Sequence, residues 1–136
     1  MYRIGMESKN ISLTVDLPDT LFVKSDPKLL DIVLRNIIAN ANFHTVEGGF
    51  IRVFTAPTSM ANQVVLNIEN TDKNSESDKI EYMQKIFEGK EKADVGKNGL
   101  GLGIILINDF SKKINCTVRV RNKQGETTCF TLYMPQ

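Results

Sequence analysis

Cysteine and histidine are scarce in this chain, long apolar runs are missing, and neither sign of charge prevails. The two cysteines, Cys116 and Cys129, match no zinc or redox spacing. Both sit in apolar, strand-like runs and read as reduced core thiols. A single histidine, His44, excludes a multi-histidine metal site built from this chain alone. Seventeen basic residues stand against sixteen acidic ones, a net charge of +1, so no broad basic surface for nucleic acid or membrane is expected. No apolar run approaches the roughly 18 residues of a membrane helix. The opening Met1-Tyr2-Arg3-Ile4-Gly5-Met6 lacks the apolar core of a signal peptide. A cytoplasmic location is therefore expected, either alone or as the cytoplasmic part of a membrane-anchored sensor. What remains is ordinary for one globular domain over 1–136: 136 residues, 41% hydrophobic and 24% charged.

Hydrophobic periodicity orders the chain. Ile11 to Val15 alternates as a strand, and Leu21 to Lys24 reads as a second short one after the Pro18-Asp19 turn. Asp26-Pro27 starts a helix, with Asp as cap and Pro in the first turn. Apolar residues at 29, 30, 33, 34, 37, 38 and 41 carry that helix to about residue 44. Phe50 to Thr55 and Gln63 to Glu69 read as an antiparallel pair beyond the Glu47-Gly48-Gly49 turn. A short helix is predicted over about 77–87 and a charged loop over about 88–98, too polar to bury much and expected to be mobile. Leu100 to Phe110 reads as a buried helix. Thr117 to Arg121 and Thr127 to Met134 form a closing hairpin that turns near Lys123-Gln124-Gly125. This order predicts an α+β fold, a two-layer sandwich of a mixed sheet with helices on one face.

Two motifs carry the chemistry. In Asn36-Ile37-Ile38-Ala39-Asn40-Ala41 the two asparagines stand one helical turn apart and share a face. Asn40 falls inside the apolar stripe, where an amide must find a partner or cost about 1–3 kcal/mol. It is either a buried amide bonded to backbone or a carbonyl oxygen offered to a hard cation such as Mg²⁺, which keeps most of its water. Asn98-Gly99-Leu100-Gly101-Leu102-Gly103 opens a helix. Glycine there serves either close helix packing or the approach of backbone amides to a phosphate. A charged loop rather than a strand precedes it, which excludes a dinucleotide fingerprint. Asn98 follows Gly96-Lys97, which excludes a P-loop.

In this order, about sixty residues apart, these motifs resemble the N box and G2 box of the histidine-kinase-type ATP-binding domain of the GHKL superfamily. The resemblance covers about residues 7–134. It implies the two-layer GHKL, or Bergerat, sandwich. It also implies catalytic roles for Asn36 and Asn40, with Asn40 holding Mg²⁺ and Asn36 orienting water or phosphate. Many histidine kinases carry a phosphate-binding lysine at the position occupied here by Phe43. His44 would line or flank the pocket and would not be the phospho-acceptor, which lies on a separate helical hairpin. Phe87, after Ile86, resembles the F box at the start of the lid over ATP, here about 88–98. Lys97, Asn98, Gly99, Leu100, Gly101 and Leu102 would close over the phosphates. Lys90, Lys92 or Lys97 would replace the charge missing at Phe43. The third family motif, Asp-x-Gly-x-Gly, departs most. Asn70 stands for the adenine-binding aspartate and keeps an acceptor, while Asp72 and Asn74 stand for the two glycines.

The resemblance thus implies the ATP-binding catalytic domain of a two-component sensor kinase, cut from a longer protein. It would bind Mg-ATP and present the γ-phosphate to a histidine on a dimerisation domain, with a response regulator downstream. Phosphoryl transfer is mostly positioning and charge neutralisation, so no strong base is required in the chain. The isolated domain would bind nucleotide without autophosphorylating. Two alternatives stay open: a degenerate GHKL-fold module with a regulatory or protein-interaction role, and an anti-sigma-type serine kinase. A gyrase-type ATPase would place a glutamate base where Asn36 stands.

Overall fold

The computed structural model describes residues 10–58, 60, 62–72, 77–94, 101–123 and 126–136. Among them, five strands and three helices follow the order β1 (Ser12–Asp16), α1 (Pro27–His44), β2 (Phe50–Ala56), β3 (Gln63–Thr71), α2 (Ser77–Phe87), α3 (Leu102–Lys113), β4 (Thr117–Lys123) and β5 (Thr127–Pro135). The strands form one sheet in the order β1-β2-β3-β5-β4. β1 runs parallel to β2, with α1 as the crossover, and the other neighbours are antiparallel. The α+β mixed sandwich is therefore as expected.

Alternation along the central strands separates two faces. Val64, Leu66 and Ile68 of β3 and Phe130, Leu132 and Met134 of β5 join one core with Val33 and Ile37 of α1, Met83 and Ile86 of α2, and Ile104 and Ile107 of α3. The opposite face carries polar and charged pairs: Arg52 bonds Glu69 at 3.0 Å across β2 and β3, and the Thr131 hydroxyl donates to Asn67 Oδ1 at 2.6 Å. A helical period on one side and a two-residue period on the other yield one apolar layer between helices and sheet.

Local chemistry sets the helix ends. Asp26 Oδ1 accepts from the amides of Lys28 at 2.9 Å and Leu29 at 3.1 Å, satisfying two donors that a helix start leaves open. After α1 the chain reverses through Gly48, whose φ of +77° favours glycine. At the far edge, Gln84 Oε1 of α2 accepts from the Val120 amide of β4 at 2.8 Å, so a side chain occupies a donor that an edge strand would present to solvent.

One expectation fails. No strand forms over 21–24: its link to the sheet is one bond, from the Lys24 amide to the Pro135 carbonyl at 2.9 Å. Leu21 and Val23 still pack on the core and Phe22 faces outward, so alternating burial is present without a ladder. β1 forms as expected, with Leu13 51% and Val15 59% exposed. It is the sheet edge, beyond the helices' cover. The turn residues Gln124 and Gly125 lie outside the described residues.

Both thiols are free and buried. Burial pushes the Cys116 thiol from an ordinary 9.0 up to about 12 and raises Cys129 as well. Between those values the unfolded chain releases a proton that the folded chain keeps. The associated stability is complete below about pH 9 and lost as pH rises towards about 12. Urea unfolding should show stability falling above pH 9 by up to about 1.4 kcal/mol per pH unit for this one group. Cys116→Ala should remove that part of the slope, and equal slopes in both proteins would contradict the assignment.

Candidate functional site

The last two turns of α1 and the first turn of α3 face each other across a cleft of about 370 Å³. Asn36, Ala39, Asn40, Phe43 and His44 line one wall, Gly101, Gly103 and Ile104 the other, and Lys79 of α2 a third side. The cleft exists because α1 turns its apolar stripe, Val33, Ile37 and Ala41, into the core. The asparagines one residue before each of the last two then emerge along the core's rim.

Asn36 and Asn40 differ in their bonding. Asn36 Nδ2 donates to the Ile32 carbonyl at 2.7 Å, which fixes the amide and turns its oxygen towards α3. A Cβ placed on Gly103 would stand 3.3 Å from that oxygen. Gly103 is thus a packing glycine that lets α3 approach Asn36. Asn40 makes no side-chain hydrogen bond among the described residues, and its half-buried amide faces the cleft. Of the two readings open for Asn40, the backbone-bonded one has no support here.

Gly101 caps α3 with φ −98° and ψ 174°, extended backbone that any residue adopts, and a Cβ there would meet nothing within 4 Å. It supplies no side-chain cap. The first turn of α3 thus borders the cleft with no side chain at residue 101, and the open amides and dipole of a helix start add positive partial charge there. Leu102, beside it, is 61% exposed. Phe43 is 75% exposed and stacks edge-on to His44 at 5.1 Å between centroids.

The residues expected to hold the base lie elsewhere. Asn70, at the end of β3, is 1% exposed, and its Nδ2 donates to the Thr71 carbonyl at 3.1 Å. Asp72 is also buried. Its Oδ2 accepts from the Thr128 hydroxyl at 3.1 Å, and that hydroxyl accepts from Asn122 Nδ2 at 3.1 Å. The carboxylate is tied into the β5–β4 end of the sheet, and neither residue lines the cleft. Phe87 is core: it meets Phe130 edge to face at 6.1 Å. Asn74, Lys97, Asn98, Gly99 and Leu100 lie outside the described residues.

Of the segment 88–98, residues 88–94 are described. Over 88–94, the Tyr82 hydroxyl donates to the Lys92 carbonyl at 2.9 Å and Ala93 packs on the core, so this half is anchored. Lys90 is committed to Glu88 at 3.2 Å, and its hydrogen bond holds that carboxyl below the usual range. Lys90 lines a different hollow, between α2 and β4. Lys79, which sequence reasoning missed, lines the asparagine cleft instead. The signal that could have found it is its place on the buried stripe of α2, one turn before Tyr82 and Met83.

Among the described residues no group of three or more His, Cys, Asp or Glu side chains is placed to hold a metal ion. A cation at Asn40 would accordingly take its other ligands from water and from a bound phosphate. No helix among them is long and apolar enough to cross a membrane.

The α+β sandwich has counterparts among known proteins. The catalytic domain of histidine kinase ThkA, in a nucleotide-free form, superposes with a TM-score of 0.78 at 20% identity, covering 98% of this chain and 85% of that one. ThkA in complex with response regulator TrrA aligns at 0.70 and 22%, over 98% of this chain and 36% of that one. Full-length ShkA in complex with AMPPNP aligns at 0.73 and 19%, over 97% and 27%. Sensor histidine kinase YcbM of Bacillus subtilis (strain 168) is 24% identical over 132 residues, 96% of this chain and 42% of YcbM. The chain spans less than half the length of the curated relatives it matches. Residues 25–136 match the model of the histidine kinase-, DNA gyrase B-, and HSP90-like ATPases, and the chain belongs to that family.

Proposed function

We propose that this chain is the ATP-binding catalytic domain of a sensor histidine kinase, working as one unit over residues 1–136 within a longer protein. The observation that carries the reading is Asn40: a half-buried amide that makes no hydrogen bond among the described residues, in a cleft facing the start of α3. That arrangement fits a magnesium nucleotide. Asn40 would hold the cation, and Asn36, fixed by Ile32, would orient water or phosphate. The α3 amides at Gly101 would receive phosphate oxygens, with Leu102 and the segment before Gly101, including Lys97, Asn98, Gly99 and Leu100, closing above them. When bound, Mg²⁺ would neutralise phosphate charge, with Asn40 as its ligand from the chain. Asn70 would accept from the base, with Asp72 and Asn74 shaping the path beside it. The partners implied are the histidine-bearing dimerisation domain of the same kinase and a response regulator such as the one bound to ThkA.

A second reading has its own support. Asn70 at 1% exposure and Asp72 held by Thr128 are buried and already bonded, so neither presents a free edge to a base, which favours a GHKL-fold module without nucleotide. Calorimetric titration separates the two. ADP and AMPPNP should bind with a Kd below about 1 mM (about −4 kcal/mol or better) in the presence of Mg²⁺. Affinity should drop at least about tenfold without Mg²⁺ or in Asn40→Ala. No heat at several millimolar ligand, with the protein folded, would select the second reading.

A further inference from the structure

The family's lysine position is Phe43 here, and the sequence offers Lys90, Lys92 and Lys97 as replacements only because they precede the glycine motif. We propose that Lys79 is the cation of this cleft: its ammonium receives the phosphates of a nucleoside polyphosphate, in place of a lysine at position 43. The proposal rests on the nucleotide reading above and adds to it the residue that recognises the charge.

Three observations carry it. First, Lys79 is the only Lys or Arg among the described lining residues, and no Asp or Glu is among them, so the lining carries one uncompensated positive charge. Second, Lys79 forms no ion pair among the described residues, although its helix provides pairs nearby. Glu81 is taken by Lys85 at 3.4 Å, and just past the helix end Glu88 is taken by Lys90 at 3.2 Å. Third, Lys79 occupies a position that would ordinarily be apolar. Tyr82, Met83 and Ile86 are the buried stripe of α2, and Lys79 stands three and four residues before the first two. A lysine on such a stripe is tolerated when its methylenes lie along the apolar surface and its ammonium reaches a polar space. The cleft beside Asn40 and His44 is that space.

Geometry explains how a substitution in α1 can be answered from α2. Phe43 and Lys79 line the same cleft from two elements, 36 positions apart in the chain. A cation on either wall faces the same volume. Phe43, largely exposed, leaves the α1 side without a lysine, and Lys79 supplies one from α2.

The test is titration of the domain with AMPPNP, ADP and adenosine in Mg²⁺, for wild type, Lys79→Ala, Lys79→Arg and Lys79→Ala/Phe43→Lys, with thermal melts confirming that each variant is folded. Lys79→Ala should weaken AMPPNP by about tenfold and ADP by less, and leave adenosine within about twofold. Lys79→Arg should retain most of the affinity, and Phe43→Lys should recover it in the Lys79→Ala background. The wild-type salt dependence should flatten in Lys79→Ala, as the loss of one phosphate-facing charge requires. Equal AMPPNP affinity in wild type and a folded Lys79→Ala would overturn the proposal and leave the nucleotide reading intact. An equal loss for adenosine and AMPPNP would also overturn it, because Lys79 would then be supporting the fold of the cleft. Absence of nucleotide binding in the wild type would remove the nucleotide reading itself, and this proposal with it.

Discussion

Phe130→Ala should destabilise the domain by about 3–5 kcal/mol, a large share of the 5–15 kcal/mol that holds a typical domain together. Phe130 is among the largest fully buried side chains and lies on β5 between β3 and β4. Truncation removes the ring from water-free contact and leaves a cavity that two hydrogen-bonded neighbouring strands cannot close. The edge-to-face contact with Phe87 is lost as well. Phe87 ends α2, and residues 88–94 depart from it, so the same change should loosen that segment and speed amide exchange at the Lys92 end. Urea unfolding and hydrogen exchange measure the two effects. A loss below about 1.5 kcal/mol would mean that the core collapses to fill the gap.

The second large effect is expected at Gly103. Adding one methyl group in Gly103→Ala gains helix propensity, about 0.8–1 kcal/mol. It also presses on Asn36 Oδ1, at 3.3 Å, whose amide cannot swing away without giving up its 2.7 Å bond to Ile32. These terms oppose each other, so the stability of Gly103→Ala should stay within about 1 kcal/mol of wild type. Gly103→Val has no such balance. Its branched side chain should drive α3 off α1, at a cost of about 1–3 kcal/mol, and displace Asn36 in the cleft. A double-mutant cycle with Asn36→Ala isolates the contact. The valine should cost less in that background, by about 0.5 kcal/mol or more. Strict additivity would show that Gly103 is glycine for another reason, such as phosphate approach.

That pair shows what was legible in the sequence and what was not. The bounds of α1 and α2 were readable because the signals are local: Asp26-Pro27 at one start, and a regular apolar stripe through each helix. The central strands and the final hairpin were equally plain from alternation and turn residues. The reading failed where partners are far apart in the chain. Leu21 to Lys24 has a strand's alternation but makes a single bond to the sheet, at Pro135. Asp72 stands where the family has a glycine, and nothing near it in the chain announces its partner Thr128, 56 positions on. The G2 motif blended two causes: Gly103 packs against Asn36, whereas Gly101 has open space around it. Lys79 was overlooked because proximity along the chain stood in for proximity in space.

The Gln84 bond to Val120 gives the sheet unequal flanks. On the β4 side a glutamine from α2 sits where an incoming chain would have to pair, and α2 would have to lift away before another strand could add. β1, at the opposite flank, is exposed along its whole length and carries two uncovered apolar side chains. Sheet-extending self-association under destabilising conditions would therefore be one-directional in origin. It would begin at β1, and a charge or proline placed there would suppress it more than any change at β4.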